Sequence, residues 1–177
     1  NGGGVSVFPG AVVMVSNCNF IGNAAYNGGG SCYGSYYNCI FRSNQADRAA
    51  GATTQGVRYN CEMSFNHAVS WGGAADQCEL VNCTLTGNMA ESGGGAFHCT
   101  MANSIVHGNT GTYGPNVDWV ECRYTCTTPL QPGEGNLAED PKLLAGGHIA
   151  ADSPCVGKGS AGYAFGTDID GDAWLEP

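Results

Sequence analysis

Apolar and polar positions alternate over short stretches, and the same alternation returns along most of the chain. Copies of one seven-residue pattern begin at Asn17, Asn38, Asn60, Asn82 and Asn103, and one copy reads NCTLTGN. Their first asparagines are 21, 22, 22 and 21 residues apart. The second and fourth positions of each copy are small or apolar, and in a strand they share one face. The pattern predicts short strands repeated with a solenoid period.

Helices do not fit this pattern. From Asn17 to Tyr124 no stretch carries apolar residues at helical spacing over three turns. A glycine- and alanine-rich element precedes each copy, such as NGGGSC at 27–32 and SGGGAF at 92–97. Glycine there permits tight corners and close approach of stacked backbones. Because parallel connections are right-handed, we predict an all-β, right-handed parallel β-helix with coils of about 21–22 residues.

Two signatures resemble those of a known family. GGGAF (93–97) together with FIGN (20–23) and FRSN (41–44) is similar to repeats of right-handed parallel β-helix proteins of the pectin-lyase-like superfamily. The likeness is strongest to the passenger repeats of polymorphic outer-membrane proteins. GNLAEDPKLL (135–144) resembles the end of such domains. We therefore assign residues 1–125 to coils and 126–177 to irregular C-terminal coils and a cap of the same domain. The scaffold hosts many activities, so the resemblance implies fold more than function.

The last asparagine of each copy is expected at a turn, where asparagine tolerates left-handed backbone. Its amide can bond to the same amide one coil away, which satisfies buried polar groups. The predicted asparagine ladder consists of Asn23, Asn44, Asn66, Asn88 and Asn109.

Seven cysteines fall into two predicted columns: Cys18, Cys39, Cys61 and Cys83 in one, and Cys78, Cys99 and Cys122 in the other. Adjacent coils lie about 4.8 Å apart, within the Cα separation that a disulfide needs. Two interpretations stay open, a ladder of buried thiols and disulfides between neighbouring rungs. A metal site is disfavoured because a column does not converge four ligands on one point.

Composition narrows the partners and the location. The formal net charge is −9, with only six Lys plus Arg, which opposes binding to nucleic acid or to an anionic membrane. No apolar run is long enough to insert into a membrane. Ten cysteines favour an oxidising location, either extracellular or at the cell surface.

Residues with catalytic chemistry are scattered. None of the six cations shares a repeat position with stacked carboxylates, as a lyase-type site would need. Three histidines at different repeat positions are interpreted as surface or capping residues. Three acidic residues are expected to lie close together on neighbouring coils, so a pair of glycosidase carboxylates stays open. These residues are His67, His98, His107, Asp76, Glu79 and Glu91.

Three further features carry weaker hypotheses. Asp168, Asp170 and Asp172 alternate like the first ligands of a calcium loop, but Gly171 stands at position four, so a polar turn is the competing interpretation. NCT at Asn82 is a glycosylation sequon inside the repeat. Aromatic residues form either a glycan platform or corner covers: Tyr33, Tyr36, Tyr37, Trp71, Trp119 and Trp174.

These patterns favour a non-enzymatic extracellular structural or adhesive module. The opening NGGGV lies in mid-coil, which predicts an exposed strand edge and end-to-end stacking of copies into filaments. Its expected partners are itself, other surface proteins or glycans, and no cofactor is implied apart from calcium. The alternative is a carbohydrate-binding or polysaccharide-degrading, lyase-type β-helix protein.

Overall fold

The computed structural model describes residues 2–164 and Asp170. The chain is 43% strand and 4% helical, and its parallel sheets form a β-solenoid of about five turns. The predicted all-β parallel β-helix is confirmed.

The described part of the chain contains nineteen short strands and two 3-10 helices. The strands are β1 (Val5–Ser6), β2 (Met14–Ser16), β3 (Asn19–Ile21), β4 (Ala24–Asn27), β5 (Ser31–Cys32), β6 (Ser35–Tyr37), β7 (Ile40–Arg42), β8 (Gln45–Ala49), β9 (Thr53–Tyr59), β10 (Glu62–Ser64), β11 (His67–Ala68), β12 (Ala75–Val81), β13 (Thr84–Thr86), β14 (Ala96–Phe97), β15 (Thr100–Ala102), β16 (Ile105–His107), β17 (Val117–Asp118), β18 (Glu121–Arg123) and β19 (Cys126–Thr127). The 3-10 helices are Ala145–Gly147 and Ala161–Tyr163.

Three sheets form the sides of the solenoid. The motif sheet has six strands in the order β19-β16-β13-β10-β7-β3. The wide sheet has ten strands and contains β1, β2, β5, β6, β9, β12, β14, β15, β17 and β18. The alanine sheet is β11-β8-β4. The predicted boundary at residue 125 falls one residue before β19, which still pairs in parallel with β16.

The core of the motif sheet is one column of large apolar side chains. Register pairs Phe20 with Phe41, Phe41 with Met63, and Met63 with Leu85. All four are buried, and the two phenylalanine rings stack with centroids 4.7 Å apart. Each coil therefore adds one apolar rung to a continuous core, as the two-residue spacing predicted.

The corner at the glycine-rich element has no room for side chains. A Cβ on Gly51 would lie 2.4 Å from the carbonyl oxygen of Gly73, and one on Gly73 would lie 2.0 Å from that of Gly94. Real Cβ atoms do not approach backbone this closely, so the coils can stack at this corner only without a side chain. The predicted close approach of stacked backbones at the glycine-rich element is confirmed.

A C-terminal strap, residues 141–163, leaves the coils and returns along their outside. Its first part is a small hairpin in which the amide of Ala150 donates to the carbonyl of Lys142 at 3.0 Å. Further along, the amide of Ser160 donates to Asn103 Oδ1 at 2.8 Å, and Asn82 Nδ2 donates to the carbonyl of Tyr163 at 2.8 Å. From Ser160 to Tyr163 the strap thus runs from a later coil back towards an earlier one.

Candidate functional site: side-chain ladders and two surface grooves

The asparagine ladder exists as predicted. In its middle, the backbone amide and the Nδ2 of Asn44 both donate to Asn66 Oδ1 at 2.9 Å. Asn44 Nδ2 also donates to the carbonyl of Phe20 at 2.8 Å. The same pattern continues through Asn66, Asn88 and Asn109. Because each amide satisfies donors of its neighbour, the ladder joins every coil to the next.

Sequence reasoning missed the last rung. The amide and Nδ2 of Asn109 donate to Asn116 Oδ1, both at 3.1 Å. Asn116 is only seven residues further on, at the glycine-rich corner, and its own Nδ2 donates to the carbonyl of Thr128 at 2.8 Å. The repeat does not predict Asn116, because Asn116 lies at a different position in the coil from the other ladder asparagines. It nevertheless accepts the bonds that the next rung would accept.

The expected left-handed backbone belongs to other residues. It occurs at the first asparagine of each copy, with φ of 55°, 51°, 53°, 55° and 49° at Asn17, Asn38, Asn60, Asn82 and Asn103. We call these the corner asparagines. They form a second, partial ladder, in which Asn60 Nδ2 donates to Asn38 Oδ1 and Asn82 Nδ2 to Asn60 Oδ1. The prediction of left-handed backbone at the ladder asparagines was wrong because the residue just before each of them makes that turn, as at Ser43 and Phe65.

The sequon asparagine is engaged on both N–H groups. Asn82 Nδ2 donates to Asn60 Oδ1 at 3.0 Å and to the carbonyl of Tyr163 at 2.8 Å. A glycan would attach to this nitrogen and remove one of those donors. Glycosylation stays a prediction, and it would compete with attachment of the strap.

The first cysteine column is a thiol ladder. Cys39, Cys61 and Cys83 are buried, and each Sγ donates to the carbonyl two residues earlier, at 3.2, 3.2 and 3.3 Å. Burial raises the pKa of Cys61, and contact with Cys61 together with burial raises that of Cys39. All ten cysteines of the chain are free thiols, so this structure shows the ladder and not the disulfides.

Hydroxyl groups extend the thiol ladder. Ser104 Oγ donates to the carbonyl of Ala102 at 2.9 Å, and Thr125 Oγ1 donates to that of Arg123 at 3.0 Å. At the other end Cys18 is exposed. The repeat position therefore selects a small side chain that can donate backwards, and sulfur is not essential.

The second column holds two of its three predicted members. The amide of Cys78 donates to Cys99 Sγ at 3.4 Å. Cys122, however, pairs with Met101, so its place in this column was predicted wrongly. The step from Cys99 to Cys122 is 23 residues, whereas β15 and β18 pair residues 21 apart, such as Thr100 and Glu121. Cys122 thus moves to the next interior column.

An arginine lies inside the solenoid. Arg58 is fully buried, in the column between Tyr36 and Leu80. Its Nη1 donates to the carbonyls of Gly34 and Val57 at 3.0 Å each, and its Cζ lies 4.5 Å from the Tyr36 ring centroid. Backbone carbonyls and a ring therefore stabilise this buried charge.

The structure does not bring the histidines together. His67 lies in the alanine sheet, His107 in the motif sheet, and His98 at a left-handed bend of the wide sheet. Asp76 is buried beside that bend, and its desolvation raises the pKa of its carboxyl to about 6 against opposing effects of His98, Thr54 and Arg48.

Of the aromatic residues named from the sequence, Trp71 covers a corner, and Trp174 lies outside the described residues. Trp71 lies between Arg48, whose Cζ is 4.9 Å from the indole centroid, and Phe97, whose ring is 6.1 Å away at 19°. Both neighbours belong to adjacent coils, so both faces of this indole are covered. Tyr36 is fully buried and cannot be part of a platform, whereas Trp119 is 74% exposed.

A groove of about 400 Å³, here the wide-sheet groove, crosses the outside of the wide sheet. Register places Glu79, Thr100 and Glu121 in one row along its floor. Arg123 also lines it, and Tyr163 of the strap contributes to its wall. Of these, sequence reasoning named only Glu79, because the loop and strap that shape the groove carry no period.

A second groove of about 240 Å³, the motif-sheet groove, lies where Gly146–Ile149 of the strap covers the motif sheet. Its buried Glu62 is paired, because Arg42 Nη2 and Ser64 Oγ donate to Glu62 Oε1 at 2.9 and 2.8 Å. Asp170 also lines this groove, and its Oδ2 lies 3.5 Å from His148 Nδ1.

The calcium prediction falls largely outside the described residues. Asp168 and Asp172 lie beyond them, and Asp170 faces His148. Within residues 2–164 and Asp170, no three His, Cys, Asp or Glu side chains are grouped to hold a metal ion. The calcium site stays a prediction for the chain end.

Comparison with protein-family models, with curated proteins and with solved structures found no match to this chain. The parallel β-solenoid therefore rests on its own strand pairing, and the likeness to polymorphic outer-membrane proteins stays an expectation. No helix in the described part of the chain is both long and apolar enough to cross a membrane.

Proposed function

We propose that this chain is a non-catalytic extracellular module with a structural or adhesive role. The observation that carries the proposal is the asparagine ladder. In this ladder, polar side chains are used to bond one coil to the next. A solenoid whose stability is a sum of such interfaces is suited to holding surfaces at fixed spacing.

The interior supports the same role. Among buried side-chain polar atoms of the described residues, only Tyr36 Oη and Thr127 Oγ1 have no hydrogen-bond partner. The buried guanidinium of Arg58 donates to the carbonyls of Gly34 and Val57. The polar groups inside the coils thus bond to each other, which favours a scaffold whose recognition takes place on the outer surface.

End-to-end assembly is the partner arrangement we propose. Three large apolar side chains of the first described coil are open to solvent, with Phe8 85%, Val12 93% and Met14 70% exposed. Burying such groups against a second copy would be favourable.

Sedimentation velocity over a dilution series, with electron microscopy of the same samples, tests this assembly. Wild-type protein should form concentration-dependent rods, and a Val12→Ser, Met14→Ser variant should shift towards monomer. Val69→Ser is the matched control, since Val69 is a 53% exposed apolar residue of a later coil. Strictly monomeric wild-type particles at high concentration would refute the assembly.

A glycan-binding role is the second candidate, and the wide-sheet groove favours it. Glu79, Glu121 and Arg123 offer charged hydrogen-bonding groups beside the aromatic Tyr163. Sugar hydroxyls are bound by such groups together with an aromatic surface.

A glycan array with wild type, Glu121→Gln and the exposed control Glu91→Gln separates these candidates. Selective loss of a signal in Glu121→Gln would establish binding at the groove. Formation of unsaturated products from uronic-acid polymers would instead identify a lyase and overturn the non-catalytic proposal.

A further inference from the structure

The strap is held to the coils by few bonds, and one of its turns carries a cysteine close to the last coil. Cys126 opens β19 in the last coil, and Cys155 lies in a turn of the strap. The turn is fixed by Ser153, whose Oγ donates to the carbonyl of Pro141 at 2.7 Å and accepts from the amide of Cys155 at 3.1 Å. The last coil reaches the same stretch of chain, because Cys126 Sγ donates to the carbonyl of Glu139, two residues before Pro141, at 3.3 Å. Cys126 and the turn that carries Cys155 are therefore both bonded to residues 139–141.

This pair differs from the ladder thiols in accessibility and chemistry. Cys39, Cys61 and Cys83 are buried, whereas Cys155 is partly open to solvent. The hydrogen bond from Cys126 lowers the pKa of Cys155 to about 7, and the same contact raises that of Cys126. Since the thiolate is the nucleophile in disulfide exchange, Cys155 is the reactive member.

We propose that Cys126 and Cys155 form a reversible disulfide that fastens the C-terminal strap to the last coil. The proposal requires contact between the two thiols, access of an oxidant to Cys155 and an oxidising location. It does not depend on a ligand for either groove.

Oxidised glutathione is a sufficient oxidant. The Cys155 thiolate attacks one sulfur of oxidised glutathione, the glutathione S–S bond breaks, and one glutathione leaves as a thiolate that takes up a proton. Cys126 then loses its proton and attacks the Cys155 sulfur, which releases the second glutathione. Two protein thiols are thereby oxidised, and one oxidised glutathione becomes two reduced molecules.

The bond would control both grooves. Tyr163 of the strap lines the wide-sheet groove, and Gly146–Ile149 line the motif-sheet groove. A strap fastened at Cys155 keeps both walls in place, and a reduced strap is held only by contacts such as Ser160 with Asn103. The redox state would thus set how open the grooves are.

Tryptic mapping without reduction tests the pairing. The full chain is equilibrated with oxidised glutathione, its remaining thiols are alkylated, and it is digested. Cleavage after Arg123, Lys142 and Lys158 gives peptides 124–142 and 143–158, each with one cysteine. We expect these two peptides linked and lighter by two hydrogen atoms, and separated after reduction. Recovery of both as alkylated single peptides, or of Cys155 linked to any other cysteine, would overturn the proposal.

Limited trypsin digestion at Lys158 tests the consequence. Oxidised wild type should be cut several-fold more slowly than reduced wild type or Cys155→Ser. Cys18→Ser, which removes an exposed thiol outside the strap, should retain the redox difference. Equal cutting of oxidised and reduced wild type would show that the bond does not fasten the strap.

Discussion

The regular coils and the C-terminal strap use the same side chains in different ways. In the coils, Asn66 bonds to its counterparts one turn away, and its neighbours repeat the bond. In the strap region, Asn103 donates to Ser160, 57 residues away, and Asn82 of the preceding coil donates to Tyr163. Repetition shares each interaction among many rungs, whereas the strap depends on a few contacts. Loss of one rung and loss of one strap contact should therefore differ in extent.

The largest effect is expected for a central rung. Asn66→Ala leaves the backbone amide of Asn44 without its acceptor and deprives Asn88 Oδ1 of one donor. Unpaired buried groups of this kind cost about 3–5 kcal/mol in the free energy of unfolding. Urea denaturation followed by circular dichroism measures the loss. Asn23→Ala, at the half-buried end of the ladder, should cost less than half as much, and equal costs would contradict a shared ladder.

Closing the proposed disulfide is the next largest effect, and it should be local. A loop of about 30 residues between the two cysteines corresponds to about 3–4 kcal/mol of closure entropy, as an upper bound. Hydrogen exchange should show this gain in the strap and little change in the motif sheet. Uniform stabilisation of the whole chain would remove the distinction between strap and coils.

Asp76 should make the coils pH-sensitive. Its folded pKa of about 6 lies above the usual value, so between about pH 4 and 6 the folded state binds more protons than the unfolded state. Stability should therefore fall as pH rises through this window, by up to about 3 kcal/mol. Asp76→Asn should flatten the dependence in denaturation series at pH 4, 5, 6 and 7. If the variant keeps the same slope of stability against pH, a group other than Asp76 causes the pH dependence.

The smallest effect is expected for a thiol rung. Serine already occupies this position at Ser104 and makes the same backward bond. Cys61→Ser should therefore cost no more than about 1 kcal/mol in denaturation. A loss close to that of Asn66→Ala would mean that sulfur packing, and not the donor, holds the column.

The sequence predicted the coils better than the grooves, for a physical reason. Phe20, Phe41 and Met63 share one position because each coil must present an apolar side chain to the next. The bond between Asn82 and Tyr163 spans 81 residues without a period, so neither groove wall was predictable. Cys122 was misplaced because its step from Cys99 exceeds the coil length by two residues.

The asparagine ladder also has a direction. Each side-chain amide donates to the Oδ1 of the next asparagine along the chain, from Asn23 to Asn44 and on to Asn116. Its other hydrogen goes to a backbone carbonyl of the preceding coil, as from Asn44 to Phe20. A coil stacked in the reverse orientation would place one amide nitrogen against another, and an amide nitrogen cannot accept a hydrogen bond. The solenoid is therefore polar along its axis, because its two ends present different hydrogen-bonding groups.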